Sequence, residues 1–382
     1  MKQYVLSICI ASYNRKDIIV SDVKKYLSLD DTRFQVIVQD DGSTDGTFQE
    51  LEKIKDSRLK LRKNKVNLGG LQNAKAALDN NDESEYVLNL NDKDCIAPNV
   101  MPTFLDYLEE NTPYYGYVDL SNDKPIYVES VKKGIDALSK ISYLCKHPSG
   151  FFWRSDLFHE EINKDYYKQL PPKFDYQFDL MYAHCAVRYD GVIVYMPLII
   201  NSFMRPELAG NKSYTYSEEN IFFGVPKRLE TYEIFLKDIP ILDTDEKTKS
   251  RIQYVVTHRF AGFVTTLARY FLKHSEVCYH YNLTPRLVSF WEMEKNLISV
   301  LSLYWKYILY SNRFSATIKT LMIFLRFSKN SLKCSLKGFL SKPKEEPLKM
   351  GSEEQANRFF QIRSHVKGKP RFFVEYNRTV FH

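Results

Sequence analysis

The sequence lacks the cysteine spacing that predicts disulfide bridges or a zinc site. Its six cysteines are dispersed over 382 residues, and no two of them form a Cys-x-x-Cys pair. A chain of this length can bury enough apolar surface to fold without covalent cross-links, so we expect reduced thiols and a cytoplasmic location. The class of small, disulfide-rich secreted scaffolds is excluded.

Long apolar runs are also scarce. No stretch of the sequence reaches the ~18 consecutive apolar residues that a membrane-spanning helix needs. The apolar residues near the N-terminus are not followed by a small-residue cleavage site, so they predict a first strand and not a signal peptide. With 44% hydrophobic and 26% charged residues, the composition is that of a globular protein.

Acidic residues are missing from one segment of the chain. Ten Lys or Arg residues and no Asp or Glu occur from Lys295 to Lys344. The whole chain carries a net charge of +7, so the remainder carries −3. The basic surplus therefore belongs to one region and needs a local explanation.

Apolar segments alternate with helical patterns in the first hundred residues. Strands are predicted at 3–10, 34–41, 59–62 and 86–90, and helices at 17–29, 44–56 and 70–80. This alternation indicates βαβ units and a parallel sheet. Ligands of such sheets bind beyond the carboxyl ends of the strands, so the polar residues directly after each strand form the candidate site.

Two of these strand ends carry paired carboxylates. Asp40 and Asp41 suit a ligand that offers donors, such as a base imide or ribose hydroxyls, and the alternative is a capped turn. Asp92 and Asp94 lie two positions apart, so on an extended segment their carboxylates point the same way. Such oxygens suit Mg²⁺ or Mn²⁺. The alternative is a turn in which Lys93 pairs with a neighbouring acid.

Four motifs occur in a fixed order along this part of the chain. They are "SICIASYNR", "VIVQDDGSTDGT", "NLGG" and "LNDKDCIAP". Together they resemble the family 2 glycosyltransferases over residues 3–205. The resemblance implies the GT-A fold, an α/β fold with a Rossmann-like, mixed and mostly parallel sheet flanked by helices. It also implies a nucleotide-diphosphate sugar donor, an Mn²⁺ or Mg²⁺ cofactor, and inversion without a covalent intermediate.

The resemblance assigns roles to residues of the strand-end loops. Asp94 matches the last acid of the family's Asp-x-Asp motif and is expected to ligate the metal directly, with Asp92 on the metal or the ribose. Cys95 stands where many relatives have a third acid, which predicts weaker metal binding without donor. The expected nucleotide-binding residues are Ser12, Tyr13, Asn14, Asp40, Asp41, Asn67, Gly69, Lys75 and Asp92.

The family's catalytic base matches the segment "FDYQFDLMY". The resemblance implies Asp179 as the group that takes the proton of the acceptor hydroxyl. Asp175, one helical turn earlier, is the rival, because Phe178 replaces the glutamate that usually precedes the base. The alternative interpretation places both acids in the first turn of a helix, where the helix dipole favours them.

Further donor- or acceptor-side candidates follow from the same resemblance: Ser149, Gly150, Trp153 and Arg205. A glycine at position 150 would let the backbone approach the donor sugar. Trp153 equally suits the core, and Arg205 equally suits a solvated loop instead of a diphosphate contact.

The basic segment predicts a cationic amphipathic helix in a mainly helical C-terminal region. Arg326, Lys329, Lys333 and Lys337 fall on one helical face, beside a face of leucines. Such a helix suits an anionic membrane surface, so we expect residues 295–344 to hold the protein peripherally on the inner face of the cell membrane. The alternative is a helical domain that packs its leucines internally. No nucleic-acid motif accompanies the basic face, so nucleic acid is not an expected partner.

The expected organisation is a GT-A catalytic domain at 1–215, with a nucleotide-binding half (1–112) and an acceptor half (113–215). A basic helical domain (216–345) and a linker with a tail (346–382) follow. The expected function is metal-dependent, inverting transfer of a sugar from a UDP-sugar to a hydroxyl of a lipid-linked bacterial glycan, as in capsule synthesis. The alternatives are transfer to polyprenyl phosphate and a non-catalytic sugar-nucleotide-binding, membrane-associated module.

Overall fold

A computed structural model describes most of the chain. The described residues are 2–79, 83–120, 126–171, 174–202, 205, 216–274, 277–278, 281–309 and 313–339. The chain divides into two compact units, Met1–Arg205 and Pro206–His382, which are called unit 1 and unit 2 below. The predicted linker and tail after residue 345 lie outside the described residues.

Unit 1 is built around a mixed sheet. Its eight strands are β1 (Tyr4–Ser12), β2 (Phe34–Asp40), β3 (Leu59–Lys63), β4 (Ser84–Asn91), β6 (Tyr115–Val118), β7 (Tyr127–Val131), β8 (Phe151–Arg154) and β9 (Gly191–Tyr195). Their order across the sheet is β3-β2-β1-β4-β8-β6-β9-β7. A separate antiparallel pair joins β5 (Cys95–Ile96) to β10 (Ile199–Ile200).

Strands β1 to β4 pair in parallel, as predicted. Strand β1 pairs in parallel with β2 on one side and β4 on the other, and β2 pairs in parallel with β3. Strand β8 enters antiparallel between β4 and β6, whereas β6 and β9 are again parallel. The predicted α/β fold with a mixed, mostly parallel sheet is therefore confirmed.

The register aligns the carboxyl ends of three strands. Ser12 of β1 lies opposite Asp40 of β2, and Ala11 lies opposite Asn91 of β4. These strands are buried because their apolar residues lie between helices on both faces. The polar loops that follow them consequently meet at one edge of the sheet.

Helices cover this sheet. They are α1 (Lys16–Leu27), α2 (Thr47–Glu52), α3 (Gly70–Leu78), α4 (Met101–Asn111), α5 (Ile135–Lys140), α6 (Ser155–Ile162), α7 (Asp165–Lys168) and α8 (Gln177–Ala186). The predicted helix at 44–56 is shorter than expected. Gly46 at its N-cap has φ +88°, and the Asp45 carboxylate accepts hydrogen bonds from the Thr47 and Lys16 N–H groups, so residues before Thr47 form a turn.

Unit 2 is helical, as predicted for the C-terminal region. It contains α9 (Val225–Asp238), α10 (Glu246–Gly262), a π-helical turn (Phe263–Leu267), α11 (Ala268–Lys273), α12 (Phe290–Lys306) and α13 (Arg313–Phe339). Side chains of Asp245 and Ser289 cap α10 and α12 by accepting N–H hydrogen bonds in the first turn. Within the described part of the chain, no helix combines the length and apolar character that crossing a membrane requires.

Candidate functional site

Asp41 organises the loop between β3 and α3. Its Oδ1 accepts hydrogen bonds from the Leu68 N–H at 2.8 Å and from Asn64 Nδ2 at 2.7 Å, and its Oδ2 accepts one from the Gly69 N–H at 2.9 Å. Gly69 has φ +85°, a conformation that favours glycine. The buried Asp41 carboxylate thus fixes the loop that contains Asn67, whose own side chain accepts the Gly69 N–H at 3.0 Å.

Asp40 and Ser12 are buried polar residues at the ends of β2 and β1. The Oδ2 atom of Asp40 accepts the Ser43 N–H at 3.0 Å. Among the described residues, neither Asp40 Oδ1 nor the Ser12 hydroxyl has a hydrogen-bond partner. Buried polar atoms are nearly always paired, so these two are exceptions at the ends of β1 and β2.

Tyr13 and Asn14 connect the loops that follow β1, β2 and β4. Asn14 adopts φ +51°, donates its N–H to Ser43 Oγ at 2.9 Å and accepts the Thr44 N–H at 2.9 Å. The Tyr13 N–H donates to Asp92 Oδ2 at 3.3 Å. Tyr13 is 41% exposed, and its backbone lies beside Asp92.

Asp92 lies in a partly enclosed position at the end of β4. Burial raises the pKa of its carboxyl to about 6, and Arg15, whose Nε lies 3.9 Å from Oδ2, opposes that rise. A desolvated carboxylate in this position would gain from a nearby cation.

Asp94 is buried and braced from two sides. Ser149 Oγ donates to Asp94 Oδ2 at 2.5 Å, and the Ser202 N–H donates to Oδ1 at 2.7 Å. Ser149 also accepts the Asn91 N–H at 2.9 Å, and His147 Nδ1 lies 3.6 Å from Asp94 Oδ2. Ser149 therefore positions the Asp94 carboxylate and does not project into open space.

Arg205 anchors the same loop to α1. Its guanidinium forms two hydrogen bonds to the Asp22 carboxylate, at 2.6 and 3.1 Å, and a third to the Lys93 carbonyl at 3.2 Å. Both side chains are buried. The structure thus places Arg205 against Asp22 and the loop backbone.

Asp22 is a residue that the sequence reasoning missed. It shares the buried face of α1 with Ile19, Val23 and Tyr26. An acid at a core position of an amphipathic helix predicts a buried cationic partner, and that signal would have identified it. Tyr26 supports the same loop, because its hydroxyl accepts the Ile96 N–H at 3.1 Å.

The residues at this edge fit a divalent cation that arrives with a diphosphate. The described side chains contain no cluster of three His, Cys, Asp or Glu groups that would hold a metal alone. Asp92 and Asp94 nevertheless retain carboxylate lone pairs beyond the hydrogen bonds above. Mg²⁺ in particular is commonly held by one or two carboxylates together with substrate phosphates and water.

Asp179 lies in the first turn of α8 and is enclosed. Its Oδ1 accepts the Leu144 N–H at 2.8 Å, and its Oδ2 accepts the Lys146 N–H at 3.2 Å. Burial raises the pKa of Asp179 to about 7, although these hydrogen bonds and the Lys146 charge oppose the rise. Asp175 is exposed and lies before the helix begins. The loop at 142–149 contacts Asp179 at one end and Asp94 at the other.

Gly150 and Trp153 have structural reasons for their identity. Gly150 has φ +101°, and a Cβ there would lie 2.6 Å from the Val118 carbonyl oxygen, so the close approach is to strand β6. Trp153 is fully buried, with ring centroids of Phe178 at 5.3 Å and Tyr182 at 5.0 Å. The structure therefore places Trp153 in the aromatic core, which was its alternative interpretation.

Lys75 is half-buried on α3, and burial lowers the pKa of its ammonium group. It lies two residues after Asn73, whose side chain donates to the Gln39 carbonyl at 2.9 Å. Lys75 is thus on the helix that follows the loop held by Asp41.

Residues 7–187 match the sequence profile described as "Glycosyl transferase family 2". This match covers 181 of the 382 residues and confirms the resemblance to the family that was inferred from the four motifs.

Two curated relatives are similar over part of their length. An uncharacterized glycosyltransferase of Haemophilus influenzae is 22% identical over 230 residues, which are 59% of this chain and 61% of that protein. The Escherichia coli UDP-Glc:alpha-D-GlcNAc-diphosphoundecaprenol beta-1,3-glucosyltransferase WfaP is 29% identical over 127 residues, 33% of this chain and 50% of that protein. The matches thus span about half to three fifths of these relatives.

Solved structures of S. aureus TarS share the fold. One TarS structure has a TM-score of 0.52 and 17% identity over 85% of this chain and 55% of that chain. TarS 1-349 in complex with UDP-GlcNAc also has a TM-score of 0.52, with 16% identity over 86% of this chain and 92% of that chain. At these identities the similarity supports the fold alone.

Proposed function

We propose that this protein is a glycosyltransferase that moves a sugar from a UDP-sugar to a hydroxyl of a lipid-linked glycan, with inversion and with a divalent metal. The observation that carries the proposal is the pair Asp92 and Asp94 at the end of β4, where the Tyr13 N–H donates to Asp92. Their neighbours Asp40 and Ser12 hold unpaired buried polar atoms at the adjoining strand ends.

The nucleoside would bind across the ends of β1 and β2. Asp40 Oδ1 is an acceptor for a base imide or ribose hydroxyl, and the Ser12 hydroxyl can donate or accept. The Tyr13 ring offers a face on which a base can stack, an interaction that tolerates any base. Asp41 acts indirectly, since its three hydrogen bonds set the shape of the loop between β3 and α3.

The diphosphate would lie against the Asp92 and Asp94 loop. Asp92 and Asp94 would hold Mn²⁺ or Mg²⁺ there, and a bound metal would supply stabilisation for the negative charge of the leaving nucleoside diphosphate. Ser149, Ser202 and Arg205 keep this loop in place, so the Asp94 carboxylate is oriented before the donor binds. Such preorganisation lowers the reorganisation needed in the transition state.

The acceptor hydroxyl needs a carboxylate to take its proton as its oxygen attacks the sugar carbon. Asp179 is the proposed base, because its raised pKa of about 7 makes it a better proton acceptor than an ordinary aspartate. Its two oxygens accept N–H groups of the 144–146 backbone, so the acceptor must reach a remaining lone pair beside that loop. Asp175, which is exposed, stays the alternative.

The donor and acceptor classes are supported by one relative. The name of WfaP states a UDP-Glc donor and a GlcNAc-diphosphoundecaprenol acceptor. Because this chain matches only half of WfaP, we propose a UDP-sugar and a lipid-linked glycan as classes and name no particular sugar or linkage. A role in capsule or related polysaccharide synthesis follows from those classes.

A thermal-shift comparison of nucleotides tests the proposed donor. The full chain is heated with UDP, GDP or CMP, each with Mn²⁺ and with EDTA. We expect UDP with Mn²⁺ to raise the melting temperature most, and Tyr13→Ala to reduce that shift while Tyr13→Phe retains it. An equal or larger shift with GDP or CMP would contradict a UDP-sugar donor.

A further inference from the structure

One face of α13 is apolar and exposed along almost the whole helix. With 100° per residue, its members fall within an arc of about 100° and extend over about 33 Å. Phe314 is 75% exposed at one end, and Leu336 is 63% exposed at the other. We call this face the α13 stripe, and it consists of Phe314, Ile318, Leu321, Met322, Leu325, Leu332 and Leu336.

The opposite face of α13 already packs into unit 2. Ala316, Ile323 and Phe327 are at most 1% exposed, and Ser328 Oγ donates to Glu294 Oε2 of α12 at 2.6 Å. The helix therefore has two apolar faces, and internal packing explains only one of them. Exposed apolar patches of this extent mark sites of interaction with another surface.

Cations follow one long edge of the stripe. Arg326 and Lys333 are exposed there, just beyond Met322 around the helix, and the exposed Lys329 lies within the arc itself, between Leu325 and Leu332. The sequence contains no Asp or Glu from Lys295 to Lys344 that would offset them on this helix. The stripe is thus bordered by charge of a single sign. Lys337, which the sequence placed on the same edge, has a side chain outside the described residues.

The preceding helix shows a related pattern. On α12, Trp291, Ile298 and Trp305 recur at intervals of seven residues and are exposed, Trp291 at 78%. Lys295 is exposed between the first two. Tryptophan combines an apolar body with a polar N–H and is enriched where membranes meet water.

We propose that the α13 stripe docks unit 2 onto an anionic bilayer, with α13 in the plane of the surface. The apolar side chains would enter the boundary between headgroups and acyl chains, and the cationic edge would contact lipid phosphates. A second copy of this chain fits less well. A two-fold contact through the stripe would bring the same cationic edge near itself.

Vesicle co-sedimentation of the full chain tests the docking surface. The vesicles contain either phosphatidylcholine alone or phosphatidylcholine with an equal part of phosphatidylglycerol. We expect binding to the mixed vesicles at low salt, weaker binding at high salt, and little binding to phosphatidylcholine alone. Absence of binding to the mixed vesicles at low salt would overturn the proposal.

A charge variant tests the edge. Arg326→Gln with Lys329→Gln and Lys333→Gln should lower the partition coefficient on mixed vesicles about 100-fold. The matched control removes three exposed lysines of unit 1, with Lys24→Gln, Lys53→Gln and Lys55→Gln, and leaves binding near that of the wild type. An equal loss in both variants would show a non-specific response to net charge and would refute the site.

An apolar variant tests the stripe itself. Leu321→Ser with Leu325→Ser and Leu332→Ser keeps every charge and should lower binding at least tenfold. These side chains are exposed, so circular dichroism should show unchanged helix content. Unchanged vesicle binding would refute insertion of the stripe. A second copy would instead be the occupant if the wild-type chain dimerises in light scattering and this variant does not, while neither protein binds vesicles. That result would overturn the proposal. No readout here requires glycosyl transfer.

Discussion

Asp94 and Asp179 are both buried carboxylates of unit 1, and the protein surrounds them in different ways. Asp94 accepts a serine hydroxyl and a backbone N–H, and it lies two residues from Asp92, near Arg15. Asp179 accepts the backbone N–H groups of Leu144 and Lys146, and burial raises its pKa to about 7.

Under the proposed function, this difference suits the two carboxylates to different chemical tasks. Paired acids at a strand end concentrate negative charge and therefore attract a divalent cation. A single carboxylate with a pKa near neutral changes its protonation state easily, which suits acid–base chemistry. One loop, residues 142–149, braces both groups, so the two tasks are coordinated by the same backbone segment.

Removing the charge of Asp94 should have the largest effect. Asp94→Asn keeps the shape but weakens the hold on a metal, and we expect turnover with Mn²⁺ to fall about 1000-fold because metal stabilisation of the diphosphate is lost. UDP release from a UDP-sugar measures it. Glu85→Gln, on the exposed side of β4, is the control and should retain activity. Activity close to that of the wild type in Asp94→Asn would contradict a role for Asp94 in holding the metal.

Replacing Asp179 should reduce turnover about 100-fold, which is typical of a lost general base. Asp175→Asn is the matched variant, since the two acids are four residues apart, and it should change turnover little. Both are measured as kcat at saturating donor. The opposite pattern, with Asp175→Asn inactive and Asp179→Asn active, would move the base to the exposed residue.

The pKa of Asp179 also predicts how stability depends on pH. The pKa is about 7 in the folded protein and 3.8 ordinarily, so the folded state binds more protons between these values. The free energy of unfolding should therefore fall as pH rises, by about 2–3 kcal/mol between pH 5 and pH 7. Asp179→Asn lacks this term. From pH 5 to pH 8, we expect the melting temperature of Asp179→Asn to rise relative to that of the wild type. A difference that does not change with pH would contradict the raised pKa.

Weakening the contact between Asp22 and Arg205, which holds the loop of Asp92 and Asp94, should have the smallest effect. Asp22→Asn weakens the pair with Arg205, which also holds the Lys93 carbonyl. Because Asp22 acts only through the loop, we expect turnover to fall about tenfold, mainly because Mn²⁺ binds more weakly. Saturating Mn²⁺ should restore part of the activity. A loss that excess Mn²⁺ does not change would indicate general destabilisation instead.

The parallel strands β1 to β4 were readable from the sequence because their signals are local. The strands at 34–41 and 86–90 are rich in apolar residues, and a pair of carboxylates lies at or just after the end of each. The pairing of Asp22 with Arg205 joins residues 183 positions apart, which no local pattern reveals. The enclosure of Asp179 likewise depends on a loop 35 residues earlier.

Side-chain orientation was the other limit. Ser149 and Gly150 follow a recognisable motif, yet the sequence does not tell whether they face a ligand or the strands beside them. The structure shows that Ser149 braces Asp94 and that Gly150 is required by the Val118 carbonyl. In α13 the leucine pattern was visible in the sequence, but its exposure depends on which of two apolar faces packs.

The most direct test of the account is calorimetric titration of UDP into the full chain with Mn²⁺ or with EDTA. We expect UDP to bind tightly and in a Mn²⁺-dependent way to the wild type and to Asp179→Asn. In Asp94→Asn, UDP binding should no longer depend on Mn²⁺. Equal UDP binding by all three proteins, whether Mn²⁺ or EDTA is present, would contradict it.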